Sequence, residues 1–334
     1  MLDYTIFGES HGPAVGVLVT GAAPGLPVDR EIIARELERR APGGPLATAR
    51  HEPDRLHILS GVYQGFTTGD PICLVLENRD TRSGDYEALR NKPRPGHADY
   101  AAWVRSGGHN DPRGGGPYSG RLTAPLVAAG AMVKAWLKEQ DIQLTARVVD
   151  EPALRQQAAE AKAHGDSVGG EIACTVTGLP AGLGGPGWRE AVESELARHL
   201  FAIPAVKALG FGDGASLAHM RGSRANDPLR TDGTRVRTVT NHNGGINGGV
   251  TNGMPLTFTV TFKPTPSIAL PQDTVDLSRM ENCTVAVTGR HDPCIVPRAA
   301  IVQTCAAALA VGDLLTARYG ARWMTDPTGY RKED

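Results

Sequence analysis

The sequence predicts an α+β fold in which sheets and helices form a sandwich within a single large domain. Three observations predict it: similar segments recur in the same order, strand-like stretches end at glycine or proline, and two long stretches are Ala-rich. The chain has 334 residues, of which 40% are hydrophobic, so it can bury a large core. We therefore expect two β-rich halves, each with a long helix, packed pseudo-symmetrically into one domain.

Three pairs of similar segments predict an internal duplication. The segment "GESHGPAVGVLVTG" at 8–21 resembles "GDSVGGEIACTVTG" at 165–178, and "GFTTGDPICLVL" at 65–76 resembles "GVTNGMPLTFTV" at 249–260. A weaker third pair joins "HNDPRGGGPYSGRLTAPLVAAGA" to "RHDPCIVPRAAIVQTCAAALA". One such pair can arise because turns converge on glycine and threonine, but three pairs in the same order favour duplication. The two halves are expected at about 1–150 and 160–334.

Helices are predicted at about 123–139, 188–201 and 298–319. The first has Thr123 as a plausible N-cap and Pro125 in its first turn. The first and last are rich in alanine and glycine, which lets neighbouring elements approach closely. Both are therefore expected in the interior.

Asp313 is the only charged residue between Arg298 and Arg318 in the last predicted helix. The residues on the same face of the helix are apolar, so the side chain of Asp313 is expected to be buried. Burial raises the pKa of a carboxyl that has no partner. We expect a structural partner such as an arginine from another helix. A catalytic role is the lesser alternative.

Composition excludes several classes of protein. The formal charge is −1 and aromatic residues are only 5%, so neither a long nucleic acid nor stacked bases are expected as partners. The five cysteines are widely spaced without a CxxC pair, which indicates reduced thiols in a cytoplasmic protein. No signal peptide and no apolar run of the roughly 20 residues that a membrane span needs are evident.

The stretch "RSGGHNDPRGGGPYSGRLTAPLVAAGAM", residues 105–132, places glycines among arginines ahead of a predicted helix. Glycine lets the backbone approach a ligand, and exposed amides before a helix N-terminus form a site for phosphate or carboxylate. The alternative is a mobile surface loop whose arginines are merely solvated. From this stretch alone both interpretations stay open.

Four polar clusters indicate proton transfer to a compact polyanion, because histidine delivers protons near neutral pH and arginine binds carboxylate or phosphate. The alternative for any single arginine is an exposed ion pair. His11 stands where the second half has Val168, although a lone histidine is more often structural. No P-loop, zinc spacing or G-x-S-x-G elbow is present. The clusters are "GESHG" with Ser10 and His11, "RPGHADY" with Arg94 and His97, the glycine stretch with His109, Arg113, Ser119 and Arg121, and "TGRHDPC" with Arg290, His291 and Asp292.

These clusters and the segments around them resemble the chorismate synthase family from residue 7 to about 310. The motifs are "FGESHGPAVG", "TTGDPI", "RPGHADY", "NGGINGGVTNGMP", "KPTPSI" and "GRHDPC". The resemblance implies a β-α-β sandwich with internal pseudo-twofold symmetry, assembled as a homotetramer. It also implies a trans-1,4 elimination of phosphate from 5-enolpyruvylshikimate 3-phosphate, giving chorismate for aromatic amino acid biosynthesis. Reduced FMN is required without net redox change.

The resemblance assigns roles to individual residues. His11 would protonate the departing phosphate, His97 would protonate the reduced flavin, and Asp292 would help to deprotonate its central-ring nitrogen. The substrate's anionic groups would be held by Ser10, Arg40, Arg94, Ser119, Arg121 and Arg290. The positions that match contacts of FMN are Arg50, Arg113, Ser119, Lys263 and Ser267.

The chain departs from the family pattern at Pro117, Tyr118, Leu46 and Pro204. These changes motivate two alternatives: a catalytically altered relative that binds flavin or anions, and a lyase for another allylic phosphate. No separate segment for a nicotinamide such as NADP is visible. We therefore expect an external reductant to reduce the flavin.

Overall fold

The computed structural model describes residues 1–43, 54–79, 90–287 and 292–326. The predicted site residues Arg50 and Arg290, and the departure at Leu46, lie outside these ranges.

Within the described ranges the elements follow in chain order. The strands are β1 (Asp3–Gly8), β2 (Ala14–Thr20), β3 (Leu56–Ser60), β4 (Val62–Tyr63), β5 (Phe66–Thr67), β6 (Ile72–Glu77), β7 (Gln143–Val148), β8 (Gly170–Thr177), β9 (Val206–Phe211), β10 (Leu229–Thr231), β11 (Val236–Thr238), β12 (Ile246–Asn247), β13 (Val250–Thr251), β14 (Leu256–Phe262), β15 (Gln272–Asp276) and β16 (Glu281–Val285). The helices are α1 (Arg30–Arg40), α2 (Asp99–Ser106), α3 (Thr123–Glu139), α4 (Glu151–Ala163), α5 (Val192–Phe201), α6 (Gly222–Ala225), α7 (Val296–Tyr319) and α8 (Arg322–Thr325). Short 3-10 helices lie at Arg113–Tyr118, Gly120–Leu122 and Gly214–His219.

Two four-stranded antiparallel sheets share one topology. The first has the order β1-β2-β6-β3 and the second β7-β8-β14-β9, so in each the first, second, fourth and third strands follow one another. One short hairpin separates the third and fourth strands of the first sheet and two separate those of the second, and a helix follows the second strand in both. The repeated order agrees with the predicted duplication, while the boundaries of the halves stay a prediction.

The glycine that ends the second strand of each sheet shows the same local geometry. Gly21 and Gly178 both have φ of +83°. A Cβ at Gly21 would lie 2.0 Å from the Met1 carbonyl oxygen, and one at Gly178 would lie 2.1 Å from that of Asp141. Only glycine fits such a close backbone approach at positive φ. The repeated Val-Thr-Gly ending therefore has a steric cause.

Helices α3 and α7 lie between the two sheets, which confirms the predicted α+β sandwich. α3 packs on β2 and β6, α7 packs on β7 and β8, and the two helices pack on each other. Alternate residues on the inner strands, such as Val15, Val17 and Val19 of β2, are fully buried and face this helical layer. The five cysteines are free thiols, of which Cys174, Cys294 and Cys305 are buried and Cys73 and Cys283 are half-buried.

The predicted helix bounds differ in two details. α5 begins at Val192 rather than 188, because a turn in which the Glu190 amide donates to Gly187 O precedes it. Thr123 is not the N-cap of α3. A 3-10 turn at Gly120–Leu122 leads directly into the helix, and the Thr123 hydroxyl donates to Gly120 O instead of accepting from the first turn.

α7 is the one helix among the described residues that is long and apolar enough to cross a membrane, and 94% of its most apolar stretch is buried in the fold. Asp313 on this helix is buried and accepts a hydrogen bond from the Leu2 amide at 2.9 Å. Arg198 of α5 lies 3.9 Å from the same carboxylate. The expected arginine partner from another helix is therefore present. Burial and nearby Glu195 raise the pKa of Asp313.

Candidate active site

The glycine loop at Gly114–Gly116 contacts both predicted catalytic histidines. Gly114 lies against His11, and the next residue, Gly115, lies against His97. All three glycines have positive φ, between +54° and +86°. A Cβ at Gly114 would lie 2.7 Å from His11 Nε2, and a Cβ at Gly115 would lie 3.1 Å from His97 Nε2. A side chain at either position would collide with an imidazole. The glycines therefore let one backbone segment lie against both rings.

His11 lies in the turn between β1 and β2, and several hydrogen bonds hold that turn. The Ser10 amide donates to Gly116 O at 3.2 Å. The Asn78 side chain, at the end of β6, donates to Glu9 O and Gly12 O at 2.9 Å each. His11 is only 8% exposed. Its Nε2 edge and the Ser10 hydroxyl face the same glycine, Gly114.

Asp54 joins two of the predicted substrate-binding arginines. Arg40 donates to Asp54 Oδ2 at 2.8 Å, and Arg121 binds Asp54 Oδ1. Burial would raise the pKa of Asp54, but the charges and hydrogen bonds of the two arginines outweigh it and lower the pKa. Arg121 also donates to Asn78 Oδ1 at 2.9 Å, which connects this pair to the His11 turn. Sequence reasoning missed Asp54.

Arg40 keeps one buried donor unused. Within the described ranges, its Nε is buried and has no hydrogen-bond partner. A buried donor without a partner costs free energy, so a ligand that accepts this hydrogen bond is favoured. Carboxylate and phosphate oxygens are the natural acceptors.

Asp292 lies just before α7 and is bound by Arg298, in the first turn of that helix. Burial and the charge of nearby Arg40 lower the pKa of Arg298 to about 10. Asp292 therefore belongs to the same charged cluster as Arg40 and Asp54. Sequence reasoning used Arg298 only to mark a helix end, because the importance of this arginine depends on a contact with Asp292 that periodicity does not reveal.

Around His97, a second cluster joins the "RPGHADY" turn to the "KPTPSI" segment. Asp99 accepts from His97 Nδ1 at 2.5 Å and from Arg94 Nε at 2.7 Å. Arg94 in turn donates to Ser267 Oγ at 3.1 Å. Both Arg94 and Ser267 are buried. The structure therefore brings His97, Arg94 and Ser267 together, and adds Asp99, which sequence reasoning had not singled out.

Two lysines and an unpaired hydroxyl lie next to this cluster. Lys263 Nζ donates to Gly96 O, one residue before His97. Burial and the nearby charge of Lys207 lower the pKa of Lys263. The Thr265 hydroxyl is buried and makes no hydrogen bond to any described residue. Two ammonium groups and a free hydroxyl could together receive a phosphate group.

The two remaining residues that were predicted to contact a ligand, Ser119 and Arg113, have different surroundings. The Ser119 hydroxyl accepts from the Arg121 amide at 3.3 Å, so it caps the turn that carries Arg121. Arg113 is half-exposed and is held by Asp111 through two hydrogen bonds of 2.9 and 2.8 Å. Asp111 thus competes with any anionic ligand for the guanidinium of Arg113.

Fold and site together indicate an enzyme that acts on a small anionic molecule, because buried arginines lie near a glycine loop that contacts two imidazoles. The family profile described as chorismate synthase matches residues 2–154 and 150–316. The chain belongs to the chorismate synthase family, whose members are carbon–oxygen lyases acting on phosphates.

Curated relatives and a solved structure agree with this assignment. The chorismate synthase of Thermococcus kodakarensis is 46% identical over 344 residues, covering 95% of this chain and 97% of the relative. That of Aeropyrum pernix is 47% identical over 356 residues, covering 96% and 93%. A crystal structure of a chorismate synthase superposes with a TM-score of 0.76 at 25% identity, covering 99% of this chain and 96% of that one.

Proposed function

We propose that this chain converts 5-enolpyruvylshikimate 3-phosphate to chorismate by a trans-1,4 elimination of phosphate. One observation carries the proposal beyond family membership: the glycine loop lies against His11 and His97 on consecutive residues. An elimination that removes a phosphate and a distant ring hydrogen needs proton transfer at two separate positions. Two imidazoles that lie against one glycine loop, beside buried arginines, would supply such positions.

The arginine cluster suits the charge of this substrate, which carries two carboxylates and a phosphate. Arg40 and Arg121 share Asp54, and the Nε of Arg40 offers a further buried donor. Arg94 and the predicted contact Arg290 would hold other anionic groups. Next to this cluster, the His11 imidazole would hold a proton at Nε2 and pass it to the departing phosphate.

The residues around Lys263 fit the phosphate of FMN. Lys263, Lys207 and the unpaired Thr265 hydroxyl provide positive charge and a free hydrogen-bonding group. Ser267 and Arg113 would complete the contacts, together with the predicted Arg50. Bound in reduced form, FMN would supply electron density to the allylic system and recover it, so that no net redox change would result.

Proton movement near the flavin would use His97 and Asp292. His97 would hold a proton at Nε2, the nitrogen on the side of Gly115. Asp292 would accept a proton on a carboxylate oxygen, with Arg298 holding the group in place. We further propose a cytoplasmic homotetramer whose flavin is reduced by an external reductant.

An anaerobic assay with the purified chain, dithionite-reduced FMN and 5-enolpyruvylshikimate 3-phosphate tests the proposal. We expect chorismate absorbance and inorganic phosphate to rise in a one-to-one ratio, and neither to rise with oxidised FMN. Flavin binding that depends on substrate, with neither product formed, would instead identify a catalytically altered relative. Release of phosphate only from another allylic phosphate would identify a different lyase.

A further inference from the structure

We propose that Asp99 is the positioning residue of His97: it holds the imidazole with its proton on Nδ1 and keeps Nε2 on the side of the glycine loop. The inference rests on the proposed function for its kinetic consequence. Its structural part can be tested independently of turnover.

The contacts of Asp99 leave one arrangement of hydrogen atoms. Its Oδ1 accepts from His97 Nδ1 at 2.5 Å and from Arg94 Nη2 at 2.9 Å. Its Oδ2 accepts from Arg94 Nε at 2.7 Å and from the Arg94 amide at 3.0 Å. An ionised carboxylate only accepts hydrogen bonds, so the hydrogen in the contact with His97 must lie on Nδ1.

The carboxylate of Asp99 is ionised at neutral pH. Burial alone would raise its pKa, but the hydrogen bonds and charges of Arg94 and His97 outweigh burial and hold the pKa well below its usual range. His97 Nε2 is thereby left as the nitrogen that gains and loses a proton. This is the atom 3.1 Å from the Cβ position of Gly115.

Charge balance gives Asp99 a second role. Arg94 Nη2 lies 3.1 Å from Nδ1 and 3.3 Å from Nε2 of His97, so a protonated imidazole would lie against a guanidinium. Lys263 adds positive charge one residue away, through its contact with Gly96 O. Among the described residues, Asp99 is the carboxylate that contacts both His97 and Arg94. Without it, the charged imidazole would face uncompensated repulsion.

The test is Asp99→Asn, which preserves shape but removes the charge and allows the amide to donate. Solid-state ¹⁵N spectra of histidine-labelled protein, with His97 assigned by difference from His97→Gln, report which ring nitrogen carries hydrogen. We expect the Nδ1-protonated form in the unaltered protein, and loss of that preference in Asp99→Asn. Asp227→Asn removes a comparably bonded aspartate in another loop and should leave the His97 signals unchanged.

In Asp99→Asn, kcat should fall at least 30-fold while the affinity for FMN stays within threefold of that of the unaltered protein. Asp99→Glu should restore part of the rate. A His97 without hydrogen on Nδ1 in the unaltered protein overturns the proposal, and this spectrum is readable even where Asp99→Asn does not fold. Unchanged ¹⁵N signals, or kcat within threefold, in folded Asp99→Asn also overturn it. Failure of the unaltered protein to turn over would instead count against the proposed function.

Discussion

At the scale of single residues, the glycine loop depends on the absence of two Cβ atoms. Gly114 combines φ of +59° with a Cβ position 2.5 Å from His11 Cδ2. A methyl group there would force either the ring or the loop to move, and misplacement of a catalytic group by about 1 Å can cost on the order of 100-fold in rate.

We therefore expect Gly114→Ala to lower kcat about 100-fold or more in the anaerobic assay. Gly107→Ala is the matched control, because Gly107 also has positive φ, +61°, but has no atom within 4 Å of its Cβ position. The control should lose stability on the order of 1 kcal/mol and keep its turnover. Equal loss of activity in both variants would show that backbone strain, and not contact with His11, limits the rate.

The residues that sequence reasoning missed are mostly counter-ions. Asp54, Asp99 and Arg298 matter because each contacts a charged group placed by another part of the chain or by a turn. Histidines and arginines next to glycine turns indicate chemistry from their type alone. An aspartate that pairs with them looks like any other polar surface residue until the fold brings the partners together, as Asp54 does with Arg121 across 67 positions.

At the scale of elements, the contact between α3 and α7 centres on a glycine. A Cβ at Gly130 would lie 2.4 Å from Cys305 Cβ and 2.5 Å from Cys305 O. The Ala-rich composition of both helices indicated this close packing, since small side chains permit it. The exact facing pair could not be predicted, because it depends on how the two helices cross.

Gly130→Ala should lower the free energy of unfolding by about 1–3 kcal/mol, because overpacking a core contact costs more than helix propensity returns. Urea denaturation at neutral pH measures the change. Gly222→Ala serves as the control, since nothing lies within 4 Å of its Cβ position. An increase in the stability of Gly130→Ala would mean that the two helices have room to separate.

At the scale of the whole molecule, the N-terminal strand β1 is tied to the second half by a buried polar network. Tyr4 OH lies 3.0 Å from His199 Nδ1, and His199 Nε2 lies 2.7 Å from Glu195 Oε1. The Leu2 amide donates to Asp313. The repeated sheets were predictable from recurrent segments. The buried polar network could not be predicted, because its members come from β1, α5 and α7. The arginine partner of Asp313 is the exception.

Asp54 and Asp99 should make stability depend on pH in the opposite sense from Asp313. The pKa values of Asp54 and Asp99 are lowered on folding, so their contribution is present above the ordinary value of 3.8 and is lost as pH falls below it. The raised pKa of Asp313 means that folding disfavours its ionised form, so this group reduces stability as pH rises above 3.8.

Asp313→Asn should therefore raise the melting temperature at pH 7 by a few degrees, with a smaller gain near pH 4. The amide oxygen can still accept from Leu2, so the hydrogen bond is kept. Asp54→Asn should lower the melting temperature at pH 7. A loss of stability in Asp313→Asn that is larger at pH 7 than near pH 4 would show that the contact of the ionised carboxylate with Arg198 outweighs burial.

The most direct test of the central claim is the anaerobic turnover of the unaltered protein beside His11→Ala and His97→Ala. The account predicts stoichiometric chorismate and phosphate from the unaltered protein with reduced FMN. Each variant should turn over about 100-fold or more slowly, in keeping with the loss of a general acid, while FMN still binds and the fold is intact. Turnover within threefold of normal in both variants would contradict the assignment of the two histidines as the proton-transfer groups.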